Sequence, residues 1–147
     1  LKINLGCGHR KIEDYVNIDA QERVNPDLVC DVLGGLPYED NSIDEVRAFD
    51  FLEHIPLGKT IGVIEEIWRV LKPEGVLEHL TPSTDGRGAF CDPTHVSFWN
   101  LLSWQYYTDD AHRDLYGIRP KFRISELRDV LTGEQVVHTY GRLHAVK

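Results

Sequence analysis

The chain has 147 residues, 41% hydrophobic and 27% charged, which suits one globular domain with its own core. A net charge of −8 with no Lys/Arg cluster argues against a nucleic-acid partner, and no apolar run is long enough for a bilayer. No signal peptide is visible, and Cys7, Cys30 and Cys91, odd in number and widely spaced, fit reduced thiols in a cytoplasmic setting.

The chain opens inside a strand and contains no methionine, so residues preceding Leu1 are expected in the natural protein. Ile3 and Leu5 give the first strand its apolar side. Gly6 and Gly8 then let the backbone turn sharply and approach a ligand. Val16-Asn17-Ile18 forms a second strand closed by Asp19, whose carboxylate can accept hydrogen bonds from both hydroxyls of a ribose. A dinucleotide fingerprint would need glycine where Lys11 stands and an acid later than Asp19, which disfavours a nicotinamide oxidoreductase. The competing reading of this stretch is a tight turn with no ligand. Residues 9–16 are short for a crossover, so the first helix is expected to shrink to a turn or two.

Leu28, Val29 and Cys30 make a short strand with Asp31 at its exit, and Gly34-Gly35 break it. Residues 36–42 are a polar loop, 43–49 a fourth strand, and 51–55 a short helical turn punctuated by Pro56. Residues 57–71 form the clearest helix, with Leu57, Ile61, Ile64, Ile67, Trp68 and Leu71 on one apolar face. Glu65 and Arg69, four apart, are expected to pair on the outer face, and Pro73 and Gly75 stop the helix. A strand over 75–80 follows, in which Glu78 and His79 need partners if buried.

Residues 83–120 begin as a Gly/Asp/Ser loop and hold half of the chain's aromatic residues, as a second small core, a ligand lid, or partly both. The end reads as a hairpin, 121–130 and 135–146 about a turn at Thr132-Gly133-Glu134. The pattern predicts a single α/β domain over 1–147. Its sheet is open, mostly parallel and Rossmann-like, with a C-terminal antiparallel hairpin and a shortened first helix. Residues 83–120 are its substrate-side insert.

Several blocks in order carry a family resemblance: Asn4-Leu5-Gly6-Cys7-Gly8, Asn17-Ile18-Asp19, residues 36–44, Leu52-Glu53-His54-Ile55 and residues 69–75. Together they resemble class I S-adenosylmethionine-dependent methyltransferases, in particular the small methyltransferase type 11-like group, over about residues 1–82. Asp92-Pro93-Thr94-His95 resembles a segment of that group less specifically. The resemblance implies S-adenosyl-L-methionine as cofactor. It puts Gly6, Cys7 and Gly8 beneath the methionine part, Asp19 on the ribose, Asp31 and Val32 at the adenine, and Phe49 and Asp50 near the sulfonium. Asn4 joins this cofactor set, standing where the general class has Asp or Glu. Arg10 replaces a third glycine, Asp50 a common His, and Glu74 a glycine.

The expected activity is methyl transfer to a small-molecule or sugar-like acceptor; the alternative is a catalytically silent nucleoside-binding module. Transfer requires alignment and, for a hydroxyl or amine acceptor, removal of a proton. Asp92 and His95 are the first candidates for that work, with His54 and Asp50 behind them. The competing reading makes Asp92-Pro93-Thr94-His95 a capped turn, and Glu53-His54 a helix-start acid beside a packed imidazole. No metal site is expected: Cys91, Asp92 and His95 offer ligands, but there is no Cys-x-x-Cys and no second His at ligand spacing. The sequence leaves room for a homo-oligomer.

Overall fold

The computed structural model describes residues 1–147, apart from the side chain of Glu134. Its strands are β1 (Lys2–Leu5), β2 (Val16–Asp19), β3 (Leu28–Val29), β4 (Ile43–Phe49), β5 (Leu71–Pro82), β6 (Lys121–Thr132) and β7 (Val136–Val146). They form one seven-stranded sheet in the order β3-β2-β1-β4-β5-β7-β6. β1 to β5 pair in parallel, whereas β7 runs antiparallel between β5 and β6. The fold is thus the expected open α/β sheet, and the terminal hairpin supplies its antiparallel edge.

Register explains the core. Leu5 lies opposite Ala48, Val46 opposite both Ile3 and Leu77, and Leu77 opposite Leu143. Because side chains alternate across a sheet, these residues share one face. Against them packs helix α1 (Thr60–Val70) through Val63, Ile64, Ile67 and Val70. The opposite face carries the polar row Asn4, Arg47, Glu78 and Arg142, with Tyr140 donating its hydroxyl to Glu78 at 2.7 Å.

Several local expectations change. The apolar face of α1 is rotated: Ile61 is exposed, as is Leu57 ahead of the helix, and Val63 and Val70 take their place in the core. Arg69 pairs with Glu66 at 2.6 Å and Asp40 at 2.6 Å, because Glu66 is already aimed inward to accept the Leu36 N–H. Glu65 pairs instead with Arg119 at 2.9 Å. The helix is shorter at both ends than the expected 57–71: it runs Thr60–Val70, and Leu71 already pairs with Ile43, so β5 begins earlier than residue 75. Between β1 and β2 the first helix is reduced to turns closed by Arg10 N–H to Cys7 O and Tyr15 N–H to Ile12 O.

His79 in β5 is fully buried, with its ring 4.3 Å from Trp104 and its Nδ1 3.4 Å from the Thr81 hydroxyl. Residues 83–120 hold α2 (Gly88–Cys91), α3 (Gln105–Thr108) and α4 (Asp110–Tyr116). Their aromatics divide: Trp99, Trp104 and Tyr107 join the core, whereas Phe90, Phe98, Tyr106 and Tyr116 are exposed. No helix among the described residues is long and apolar enough to cross a membrane.

Candidate functional site

The site begins where β1 ends. Gly6 and Gly8 both have positive φ, 62° and 49°, which a side chain would strain. A Cβ on Gly6 would stand 2.4 Å from Cδ2 of Phe51, whereas the space beside Gly8 is open. The Cys7 N–H donates to the Ile18 carbonyl at 3.0 Å, so the turn stays tied to the end of β2. One residue on, Asp19 Oδ2 accepts the Gly8 N–H at 2.9 Å and Oδ1 accepts the Gln21 N–H at 2.9 Å. The carboxylate is therefore held in one orientation, with lone pairs left for a ligand.

A cavity of about 530 Å³ lies at the carboxyl ends of the parallel strands, lined by Gly6, Asp19, Asp31, Val32, Asp50, Phe51, His54 and Thr94, among others. This is where open α/β sheets bind ligands. Asp31 caps a short turn by accepting the Leu33 N–H at 2.9 Å, and Val32 is buried beside it. The lining fits S-adenosylmethionine in character: Leu5, Ile18 and Val32 are apolar, Asp19 adds a carboxylate, and Gly6 lets Phe51 close on the turn.

The other expected cofactor residues fall in an adjoining groove of about 410 Å³, which Gly6 and Asp50 also line. Asn4, Cys7, Gly8 and Phe49 lie there. The Asn4 amide donates to Asn17 Oδ1 at 3.0 Å and to the Arg10 carbonyl at 3.2 Å, so it holds the glycine loop together from below. Phe49 lies 3.7 Å from the Arg47 guanidinium. Burial pushes the Cys7 thiol pKa up, with the Asp19 charge adding to it.

Asp50 bridges both spaces at φ 49°. Its Oδ1 is 3.1 Å from His138 Nε2, and its Oδ2 accepts from Arg10 at 3.2 Å. Burial works to raise its pKa, but His138 and then Arg10 outweigh this and hold the carboxyl below the usual carboxylate range.

On the other side stand the acceptor candidates. Asp92 Oδ1 accepts the Thr94 N–H at 2.8 Å and the Thr94 hydroxyl at 2.7 Å, which holds the carboxyl below its ordinary range. Asp92 Oδ2 is 3.7 Å from His95 Nε2. The His54 and His95 rings are 5.1 Å apart, so residues separated in sequence form one cluster. Of this group His54 and Thr94 line the cavity. Glu53, the adjacent acid, has its side chain buried in the core rather than solvated, and burial pushes its pKa up to about 8. Phe51 and Thr94 were not among the expected site residues: Phe51 stands in no chemical motif, Thr94 lies inside the Asp92-Pro93-Thr94-His95 segment without having been assigned a role, and both enter the cavity through tertiary contact.

The methyltransferase domain family model matches residues 5–78. No curated protein matches the chain. Among solved structures, an S-adenosylmethionine-dependent methyltransferase from Archaeoglobus fulgidus superposes with a TM-score of 0.68 at 14% identity, covering 98% of this chain and 85% of that one. A 1,6-didemethyltoxoflavin N1-methyltransferase from Burkholderia thailandensis, bound to 1,6-didemethyltoxoflavin and S-adenosylhomocysteine, gives 0.68 at 10% identity, covering 99% and 71%. A putative methyltransferase of Haloferax volcanii, in complex with the activator Trm112, gives 0.66 at 16%, covering 99% and 82%. The chain belongs to the methyltransferase domain family, as an enzyme whose cofactor is S-adenosyl-L-methionine.

Proposed function

We propose that the methyl acceptor is a small molecule, sugar-like in carrying hydroxyl groups, and that it meets the cofactor in the cavity at the carboxyl ends of the parallel strands. The observation that carries this reading is that Asp19, Asp31 and Asp50 share one cavity with His54 and Thr94. Its volume, about 530 Å³, is in the range of small-ligand pockets.

Bound S-adenosylmethionine supplies an already activated methyl group. The chain supplies binding, alignment and a path for the acceptor's proton. Asp19 takes the ribose hydroxyls, and Asp31 with Val32 frames the adenine. The Gly6-Cys7-Gly8 turn supports the methionine part, braced by Asn4. Asp50 and Phe49 flank the sulfonium, where an ionised carboxylate stabilises positive charge. On the acceptor side, Thr94 holds Asp92 ionised, and the Asp92–His95 pair accepts the acceptor's proton. The free thiols of Cys7, Cys30 and Cys91 support a reducing, cytoplasmic setting.

The test is methyl transfer from labelled cofactor to a panel of hydroxyl-, amine- and carboxyl-bearing small molecules, with polypeptide and RNA as further arms. Transfer to a hydroxyl compound is expected. Transfer confined to polypeptide or RNA would overturn the acceptor class.

A further inference from the structure

Glu53 is 1% exposed, yet neither of its carboxylate oxygens accepts a hydrogen bond from any described residue. A buried, unpartnered carboxylate is costly unless another group meets it. Two imidazoles stand close to it: His54 Nε2 is 4.0 Å from Glu53 Oε1, and one ligand atom from each of Glu53, His54 and His95 lies within 4.8 Å of the others.

Both imidazoles are held in the same tautomer. His54 Nδ1 is 3.2 Å from the Thr94 carbonyl, and His95 Nδ1 is 3.1 Å from the Ala89 carbonyl. A carbonyl only accepts, so each Nδ1 is placed to donate, which leaves Nε2 as the free ring nitrogen, 4.0 Å from Glu53 Oε1 in His54 and 3.7 Å from Asp92 Oδ2 in His95. This is the outer-shell arrangement that orients histidines toward a metal. The supporting backbone is also tied together across the two segments. Val96 and Ser97 N–H groups donate to the Glu53 carbonyl at 2.9 and 3.0 Å, and the Ser97 hydroxyl donates to the Leu52 carbonyl at 2.7 Å. These bonds fix the three side chains relative to one another across the two segments.

We infer that Glu53, His54 and His95 bind one divalent transition-metal ion at the edge of the methyl-transfer cavity, with an open position for an oxygen of the acceptor. Two imidazoles and one carboxylate select a transition ion over Mg²⁺ or Ca²⁺, which prefer oxygen ligands. Metal–nitrogen bonds near 2 Å place tetrahedral ligands about 3.3 Å apart, so binding shortens the separations between these ligand atoms by about 1.5 Å at most. His54, itself on the cavity wall, is placed to bring the ion against the acceptor. With His95 Nε2 taken as a ligand, the acceptor's proton goes to Asp92; the ion's role toward the acceptor rests on the methyl-transfer reading above, and its binding does not.

The test uses the full chain stripped with chelator and titrated with Co²⁺, Zn²⁺ or Mg²⁺ alone. One Co²⁺ per chain is expected, with the visible absorption of a four- or five-coordinate ion, displaced by Zn²⁺ and not by Mg²⁺. Glu53→Gln and His95→Gln are each expected to weaken Zn²⁺ binding by at least the roughly 10–100-fold that loss of an outer-shell partner produces. His112→Gln, altering a surface histidine paired with Asp109, is expected to leave it unchanged. Glu53→Gln keeps the side-chain shape, and thermal unfolding identifies the variants that fold. Absence of a saturable Co²⁺ spectrum in the folded wild-type chain would overturn the site, as would folded variants that bind Zn²⁺ as tightly as wild type. S-adenosylhomocysteine titrated into the same samples separates the two readings: a chain that binds Co²⁺ but not this ligand keeps the metal site and loses the cofactor assignment.

Discussion

The ring of Phe51 occupies the space that a side chain at Gly6 would need: a Cβ there would stand 2.4 Å from Phe51 Cδ2 and 3.2 Å from Cγ. The turn after β1 and the loop after β4 are thereby fitted to each other at the cavity wall. Gly6→Ala forces both a strained backbone and a displaced ring. Stability is expected to fall by about 1–3 kcal/mol from the backbone alone, and S-adenosylhomocysteine affinity is expected to fall with it. A variant with wild-type melting temperature and calorimetric affinity would show that this fit constrains neither.

Asp19 carries the sharpest prediction about the cofactor. Asp19→Ala removes a carboxylate that two backbone N–H groups hold in place. Hydrogen bonds to a charged group contribute about 1.5–3 kcal/mol, so affinity for S-adenosylhomocysteine should drop by roughly one to two decades. Unchanged calorimetric affinity in a folded variant would remove Asp19 from the cofactor site.

Asp92→Asn and His95→Ala should lower methyl transfer while leaving S-adenosylhomocysteine affinity near wild type. A positioned base contributes about 10²–10⁴-fold, which sets the scale of the loss. If Asp92 only closes the turn to Thr94, and His95 only packs, both variants lose stability while the folded fraction keeps its normal rate. Single-turnover rates and melting temperatures measured on the same samples distinguish the two.

His79 makes a prediction about acid. Burial lowers its pKa from the ordinary 6.5 to about 3. The folded chain therefore binds this proton less well than the unfolded chain does. Its contribution is intact above pH 6.5 and is lost as pH falls from there toward 3, by about 1.4 kcal/mol per unit at most. His79→Leu should flatten the pH dependence of the urea midpoint between pH 6.5 and 3, whatever its effect at neutral pH. Equal slopes in variant and wild type would exclude His79 as a source of acid sensitivity.

Most of the sheet was legible because its signals are local. The strand over 43–49, the glycine turn after Leu5 and the turn of the terminal hairpin each constrain only their neighbours; the first two appear where expected, and the last falls one residue later, at Gly133–Gln135. The α1 face was less legible: Ile61 fits the helical period as well as Val63 does, and only the position of the sheet decides which is buried. Arg69 likewise has acids in reach at more than one spacing, and the inward aim of Glu66 settles the pairing.

The acceptor side divides in the same way. The sequence alone marked Asp19, Asp92 and His95 as chemically able residues, because a carboxylate at a strand end and an acid three residues before an imidazole are visible in one dimension. It could not show that Glu53 is buried, that His54 meets His95, or that Phe51 closes on Gly6. The segments that carry His54 and His95 are joined by hydrogen bonds from Val96 and Ser97 to the Glu53 carbonyl, across more than forty residues. Local sequence determines what a side chain can do and how its own strand or turn runs. Whether a carboxylate is solvated or enclosed, and which imidazole faces it, is decided only when distant backbone closes around it, since burial and proximity belong to the packed chain.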